Sequence, residues 1–225
     1  MQQWGSRLRL HWLIKMIGTT GGIAVFFCIY FWLLRHPIRP VTVMPLLPGD
    51  DAIPFQPALL PFYFSLWFYI SLPVALLNTR RELASHGLAA VVLSVAGFSV
   101  FLLWPTVVPA RTADWSLHPS WSFLQEIDAA GNACPSLHVA FAQLAAVWLH
   151  RVLRQMDAGR TALLLNQLWC GAIVYSTLAT RQHVLLDVLS GAALGGVVAA
   201  AHVRCLRTRA NQLDASCAAV GTTHL

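Results

Sequence analysis

Six apolar runs of about twenty residues each recur along this 225-residue chain, at roughly 17–34, 58–77, 87–105, 136–150, 161–179 and 183–203. At 1.5 Å of rise per residue, about twenty residues of helix match a hydrocarbon layer about 30 Å thick. A backbone in that layer must satisfy its own hydrogen bonds, so such runs become helices rather than loops or open sheet. Composition points the same way. With 57% hydrophobic and 11% charged residues and a mean hydropathy of +0.61, too few polar groups exist to coat a water-soluble globule of this size. The expectation is an all-α integral membrane bundle of six transmembrane helices, the fourth run being the shortest. The first run follows Arg7, Arg9 and Lys15 as a secretory leader would, but it is long for one and no small-residue cleavage pattern follows, so it reads as a retained anchor. The organisation expected is a cytoplasmic segment over 1–16, a six-helix membrane domain over 17–205 and a flexible cytoplasmic tail over 206–225.

Cations set the orientation, because cytoplasmic loops collect Lys and Arg while carboxylates weigh little. Alternate connections divide them unequally. One side takes Arg7, Arg9, Lys15, Arg80, Arg81, Arg151, Arg154, Arg160, Arg204, Arg207 and Arg209, and the other keeps only Arg35, Arg39, Arg111 and Arg181. Both termini are therefore expected in the cytoplasm, and in a bacterial inner membrane the opposite face is periplasmic. The net charge of +6 follows from this topology and from attraction to anionic membrane lipids, and calls for no nucleic-acid partner. Cys28 and Cys170 fall within spans, Cys205 and Cys217 toward the cytoplasm, and Cys134 alone toward the outer face, so no disulfide framework is expected. The outer loops, 35–57 and 106–135, carry Trp115, Trp121 and Phe123, rings suited to the headgroup layer, and form either a lid or a mouth for lipid.

Two polar islands interrupt the oil on that same outer side: Cys134-Pro135-Ser136-Leu137-His138 and Thr180-Arg181-Gln182-His183-Val184-Leu185-Leu186-Asp187. Pro135 suits the first turn of a helix, whose free N–H groups and positive dipole end attract anions. Ser136 and His138 stand at that start. His183 opens the last span with Asp187 four residues on, on the same helical face. A carboxylate one turn below an imidazole accepts its N–H, sets the tautomer and stabilises the cation formed when the ring attacks as a nucleophile. Arg181 and Arg111, two of the rare outer cations, offer charged forks for phosphate oxygens, and His138 can protonate a leaving oxygen. Ionisable residues inside a span are costly enough to mark function. Metal chemistry fits less well: neither HExxH nor CxxC occurs, and Asp114, Glu126 and Asp128 are scattered. No metal and no other cofactor is expected.

These residues resemble the type 2 phosphatidic acid phosphatase superfamily, whose motifs are commonly written KxxxxxxRP, PSGH and SRxxxxxHxxxD, over roughly 60–203. Pro135-Ser136-Leu137-His138 matches the second motif with Leu137 in place of glycine, a PSLH form similar to the branch that includes inositol phosphorylceramide synthases and many bacterial lipid phosphatases. His183 and Asp187 match the third motif in spacing. Ser176 holds its serine position, but Thr177 replaces its arginine, and Arg181 one turn later is the candidate to restore the charge. Arg111 is the best counterpart of the first motif, with Thr112 where proline belongs and Trp104 where lysine belongs; Arg39-Pro40 lies too far upstream. By this resemblance His183 is a nucleophile that forms a phosphohistidine, Asp187 its partner, His138 the general acid and Ser136 a phosphate ligand. The implied activity is metal-independent hydrolysis of a lipid phosphate or diphosphate, with undecaprenyl diphosphate, phosphatidate and phosphatidylglycerol phosphate all open as substrates. Two alternatives stand beside it. One is a phosphotransferase that passes a phosphoryl or phospho-headgroup to a lipid or sugar hydroxyl, and the other a non-catalytic lipid binder or transporter. Nothing in the chain sets an oligomeric state.

Overall fold

Polar residues at the ends of the apolar runs cap the helices that those runs become. Thr79 accepts from the Glu82 N–H at 3.1 Å while the Glu82 carboxylate accepts from the Thr79 N–H at 3.2 Å, a reciprocal cap that satisfies two donors the helix leaves over. Ser136 accepts from the Val139 N–H at 3.3 Å and caps the helix behind it. The computed structural model describes the backbone of residues 2–110 and 131–221, with side chains described over 4–110 and 131–205. In chain order the elements are α1 (Gln2–Arg9), α2 (Trp12–Arg35), strand β1 (Thr42–Val43), α3 (Pro48–Ala52), a 3-10 turn (Pro57–Leu59), α4 (Leu60–Phe64), α5 (Leu66–Leu76), α6 (Arg80–Leu103), strand β2 (Thr106–Val107), α7 (Leu137–Gln155), α8 (Arg160–Ala179) and α9 (Leu185–Gly221). The last helix runs on past Cys205, through most of the segment expected as a tail.

Among the described residues, five stretches are long and apolar enough to cross a membrane: Trp12–Arg35, Pro57–Leu76, Arg80–Leu103, Arg160–Ala179 and Leu185–Cys205. They coincide with five of the six expected runs. The other, α7, is a 19-residue helix but less apolar, carrying Gln143, His150, Arg151, Arg154 and Gln155. The physical reason is its position. It packs against α5, α6, α8 and α9, and eleven of its residues are buried, so its surroundings are largely protein and its own hydropathy is under less constraint.

Among the helices, α7 and α9 start at the same end of the bundle and run in the same direction, while α8 runs back toward that end. A buried polar tie joins three of them near mid-bundle: the Tyr69 hydroxyl donates to Asn166 Oδ1 at 2.6 Å, and Asn166 Nδ2 donates to the Ala146 carbonyl at 3.0 Å. Such pairing is what an apolar environment demands of a buried amide. At the end of the bundle where α5 terminates, the Lys15 ammonium donates to the carbonyls of Arg7 (2.6 Å) and Ala75 (2.8 Å), and Arg7 to that of Leu76 (3.2 Å). Cations thus occupy the negative pole of α5. At the opposite end the connections knit together. β1 and β2 pair in parallel, Thr42 with Thr106 and Val43 with Val107, and the Thr106 hydroxyl accepts from the Cys134 N–H at 2.8 Å.

The tightest approach is between α7 and α9. A Cβ added at Gly191 would fall on the Ser136 carbonyl, and one at Gly195 would lie 2.6 Å from the Ala140 oxygen. Only glycine lets the two backbones come this close. Alanine ordinarily improves a helix over glycine by about 1 kcal/mol, and Gly171 on α8, with open space around it, should follow that rule. At Gly195 the sign should reverse. Gly195→Ala is expected to lower the unfolding temperature in detergent, at a cost of about 1–3 kcal/mol, while Gly171→Ala leaves it unchanged or raises it; equal behaviour of the two would contradict this packing.

Candidate active site

Four of the six singled-out residues come together where α7 and α9 begin. Ser136 is fully buried and donates its backbone N–H to the Asp187 carbonyl at 3.0 Å, so the two polar islands are tied by a direct hydrogen bond. His138, in the first turn of α7, stacks on Tyr63 with ring centroids 4.1 Å apart and planes 12° from parallel. His183 and His138 line one cavity of about 170 Å³, walled by aromatic side chains including Phe26, Tyr63, Trp67 and Phe141.

His183 sits in the turn just before α9 rather than on the helix. The chain leaves α8 through a tight reversal in which the Thr177 carbonyl accepts from both Gln182 (3.0 Å) and His183 (3.1 Å) N–H groups, with Arg181 in the left-handed region at φ 59°. Asp187 then folds back and accepts from the Val184 N–H at 3.0 Å, a carboxylate at the positive pole of its own helix. Its Oδ2 lies 3.5 Å from His183 Nδ1, with 12% of the histidine side chain exposed and none of the aspartate. The imidazole is reachable and its partner is sealed. That separation suits an ion pair but is too long for a good hydrogen bond. His183 Nδ1, Asp187 Oδ1 and His138 Nε2 are each buried without a hydrogen-bond partner among the described residues. His150 Nδ1 and Arg151 Nε, toward the far end of α7, share that condition. Native proteins satisfy most buried polar groups, so three exceptions grouped at the α7 and α9 starts mark a place shaped for something other than folding.

The remaining assignments fall differently. Ser136 spends its hydroxyl on the α7 cap. Arg181 carries its guanidinium over the Phe55 ring, 5.5 Å from the centroid, and so packs against the connection before α4. Arg111 lies outside the described residues, as do Trp115, Trp121 and Phe123. Ser176 donates to the Ile173 carbonyl at 2.6 Å and Thr177 to that of Val174 at 2.8 Å, which turns both hydroxyls into their own helix. Among the described residues no three His, Cys, Asp or Glu side chains are grouped closely enough to hold a metal ion.

One contributor was not singled out from sequence. Asp50, 1% exposed in α3, accepts from the Leu185 N–H at 2.7 Å through Oδ1 and from the Leu47 N–H at 2.8 Å through Oδ2. It caps α9 from a separate connection and so holds the turn that bears His183. The available signal was the rarity of carboxylates, nine in the whole chain, in an Asp50-Asp51 pair beside an apolar span. Asp50→Ala leaves two N–H groups unpaired and should destabilise the protein by about 1–3 kcal/mol, seen as a fall in unfolding temperature well beyond that of Asp51→Ala at the exposed neighbour. Equal falls for the two variants would refute the cap.

A family model described as the PAP2 superfamily matches residues 82–211, from the start of α6 through both polar islands and into α9. No curated protein matches the chain, and no solved structure does. The chain belongs to the PAP2 superfamily, whose members are generally phosphatases or related enzymes acting on phosphate esters, commonly those of lipids.

Proposed function

We propose that this PAP2 superfamily member is an integral membrane phosphatase of six transmembrane helices that hydrolyses a lipid phosphate or diphosphate without a metal, through a phosphohistidine at His183. The observation that carries the reading is the grouping on His138, His183 and Asp187 of three buried polar atoms without a hydrogen-bond partner among the described residues, with both histidines lining one aromatic cavity. Asp187 faces His183 Nδ1 at 3.5 Å, which directs a proton to that nitrogen and leaves Nε2 as the nucleophile. Apo geometry of this kind commonly tightens when substrate binds.

Nε2 attacks phosphorus as the bond from phosphorus to the lipid oxygen breaks, and His138 Nε2 gives its proton to the departing oxygen. Water then attacks the phosphohistidine and returns a proton to His138, and the phosphorus–nitrogen bond breaks to release inorganic phosphate. Asp187 stabilises the imidazolium throughout. Arg181 and Arg111 are assigned to the phosphoryl oxygens, with the first turn of α7 behind Ser136 supplying backbone N–H groups and a positive dipole end.

Charge placement supports an orientation. Arg7, Lys15, Arg80, Arg151 and Arg160 fall at the helix ends opposite the two histidines, which supports a reading with that end in the cytoplasm and the site on the periplasmic face of a bacterial inner membrane. Substrate then comes from the outer leaflet.

Phosphate release from a panel of lipid mono- and diphosphates, by purified protein in detergent with EDTA, tests the reading. Release is expected to persist in EDTA and to vanish in His183→Ala and nearly so in His138→Ala. Loss of one phosphate-binding arginine should cost about 3 kcal/mol of transition-state stabilisation, as for a lost oxyanion donor. Near-normal release by His183→Ala, or inhibition by EDTA that added metal reverses, would contradict it. No release from any of them would point instead to transfer onto an acceptor alcohol.

A further inference from the structure

Phe26, Trp67 and Phe141 each border two spaces. On one side is the histidine cavity, and on the other a larger space of about 520 Å³ that descends between α2, α5, α6 and α7 to Lys15. Its walls include Gly18 and Gly22 on α2 and Gly87 on α6. Small residues on membrane helices ordinarily let backbones touch, as Gly191 and Gly195 do against α7. These three do not: a Cβ added at any of them would meet nothing within 4 Å. Their smallness keeps a groove open instead of closing a contact.

The groove is mostly apolar, with Thr19, His86 and Ser94 among its walls, and charged at its floor, where Arg80 lines it and the Lys15 ammonium is held by the carbonyls of Arg7 and Ala75. Together the two spaces border α2 from Phe31 down to Lys15, a path of about 24 Å at 1.5 Å per residue. That is most of a hydrocarbon layer about 30 Å thick. Between them stands the edge-on pair Phe26 and Phe141, ring centroids 5.5 Å apart.

We propose that this groove receives the hydrocarbon tail of the phosphorylated lipid and measures its length, with Gly22 and Gly87 as specificity-determining residues, the Phe26–Phe141 pair as the neck and Lys15 as the stop. The inference rests on the phosphatase reading above. The occupant follows from adjacency to the histidine cavity, which shares the Phe26, Trp67 and Phe141 side chains with the groove, and from a mostly apolar lining that suits hydrocarbon. A phosphate at His183 then has its tail directed inward along α2.

Hexadecyl phosphate and octyl phosphate share a headgroup and differ only in reach. Unaltered protein should turn over the longer lipid with the higher kcat/KM. Gly22→Leu and Gly87→Leu, on different helices, should each lower kcat/KM for hexadecyl phosphate by about tenfold or more, the effect of withdrawing a few methylenes from an apolar site. Octyl phosphate turnover should stay unchanged. Gly21→Leu, at a neighbouring glycine with equal room but outside the groove lining, should alter neither. Equal losses on both lipids in both groove variants, or no loss on either, would overturn the groove's role and make it space filled by bulk lipid. Octyl phosphate hydrolysis by unaltered protein with no gain from the longer tail would sink the groove and leave the phosphatase reading intact, whereas no release from either lipid would bring down both.

Discussion

Everything at the site hangs on how closely α7 and α9 approach. Their backbones meet at Gly191 and Gly195, and the Ser136 N–H reaches across to the Asp187 carbonyl. Two polar islands some forty residues apart become one surface through that crossing. A side chain at either glycine would push the helix starts apart and with them His138 and His183. The crossing is also why α7 can be less apolar than the five spanning stretches: enclosed by its neighbours, it is free to carry polar residues at both ends.

Around this crossing the structure obeys the rule that buried polar groups find partners. Asn166 and Tyr69 satisfy each other, Ser176 and Thr177 bond to their own helix, and Lys15 is held by two carbonyls. At the histidines the rule is relaxed. His138 Nε2, His183 Nδ1 and Asp187 Oδ1 have no hydrogen-bond partner among the described residues beside a cavity with aromatic walls, while Asp50 and the Thr177 carbonyl hold the turn that carries His183. Firm backbone support beneath loosely satisfied side chains is the arrangement expected of groups whose partner is a substrate.

Much of this was legible in the chain because it depends on local pattern. Apolar runs located the long helices, although α6 begins at Arg80, ahead of its run, and α9 continues well past its own, and the islands at 134–138 and 180–187 supplied four residues that do meet. What was not legible depends on contacts distant in sequence. Asp50 lies 135 residues from the Leu185 N–H it caps, and no spacing rule links them. Arg181 reads as an isolated outer cation, yet Phe55 draws its guanidinium onto a ring face. Helical periodicity placed His183 on α9, whereas the Asp187 carboxylate, by accepting from Val184, starts the helix later and leaves the histidine in a turn. The open glycines of α2 show the same limit, because sequence does not say whether a small residue closes a contact or keeps a space.

The central claim is covalent: phosphate passes through His183. Rapid acid-free quenching of the protein during turnover of a radiolabelled lipid phosphate, followed by peptide mapping, tests it directly. The expected result is label on the peptide bearing His183, stable to base, released by acid and absent from His183→Ala. Steady turnover with no phosphorylated protein at any time, or label that persists in His183→Ala, would contradict it.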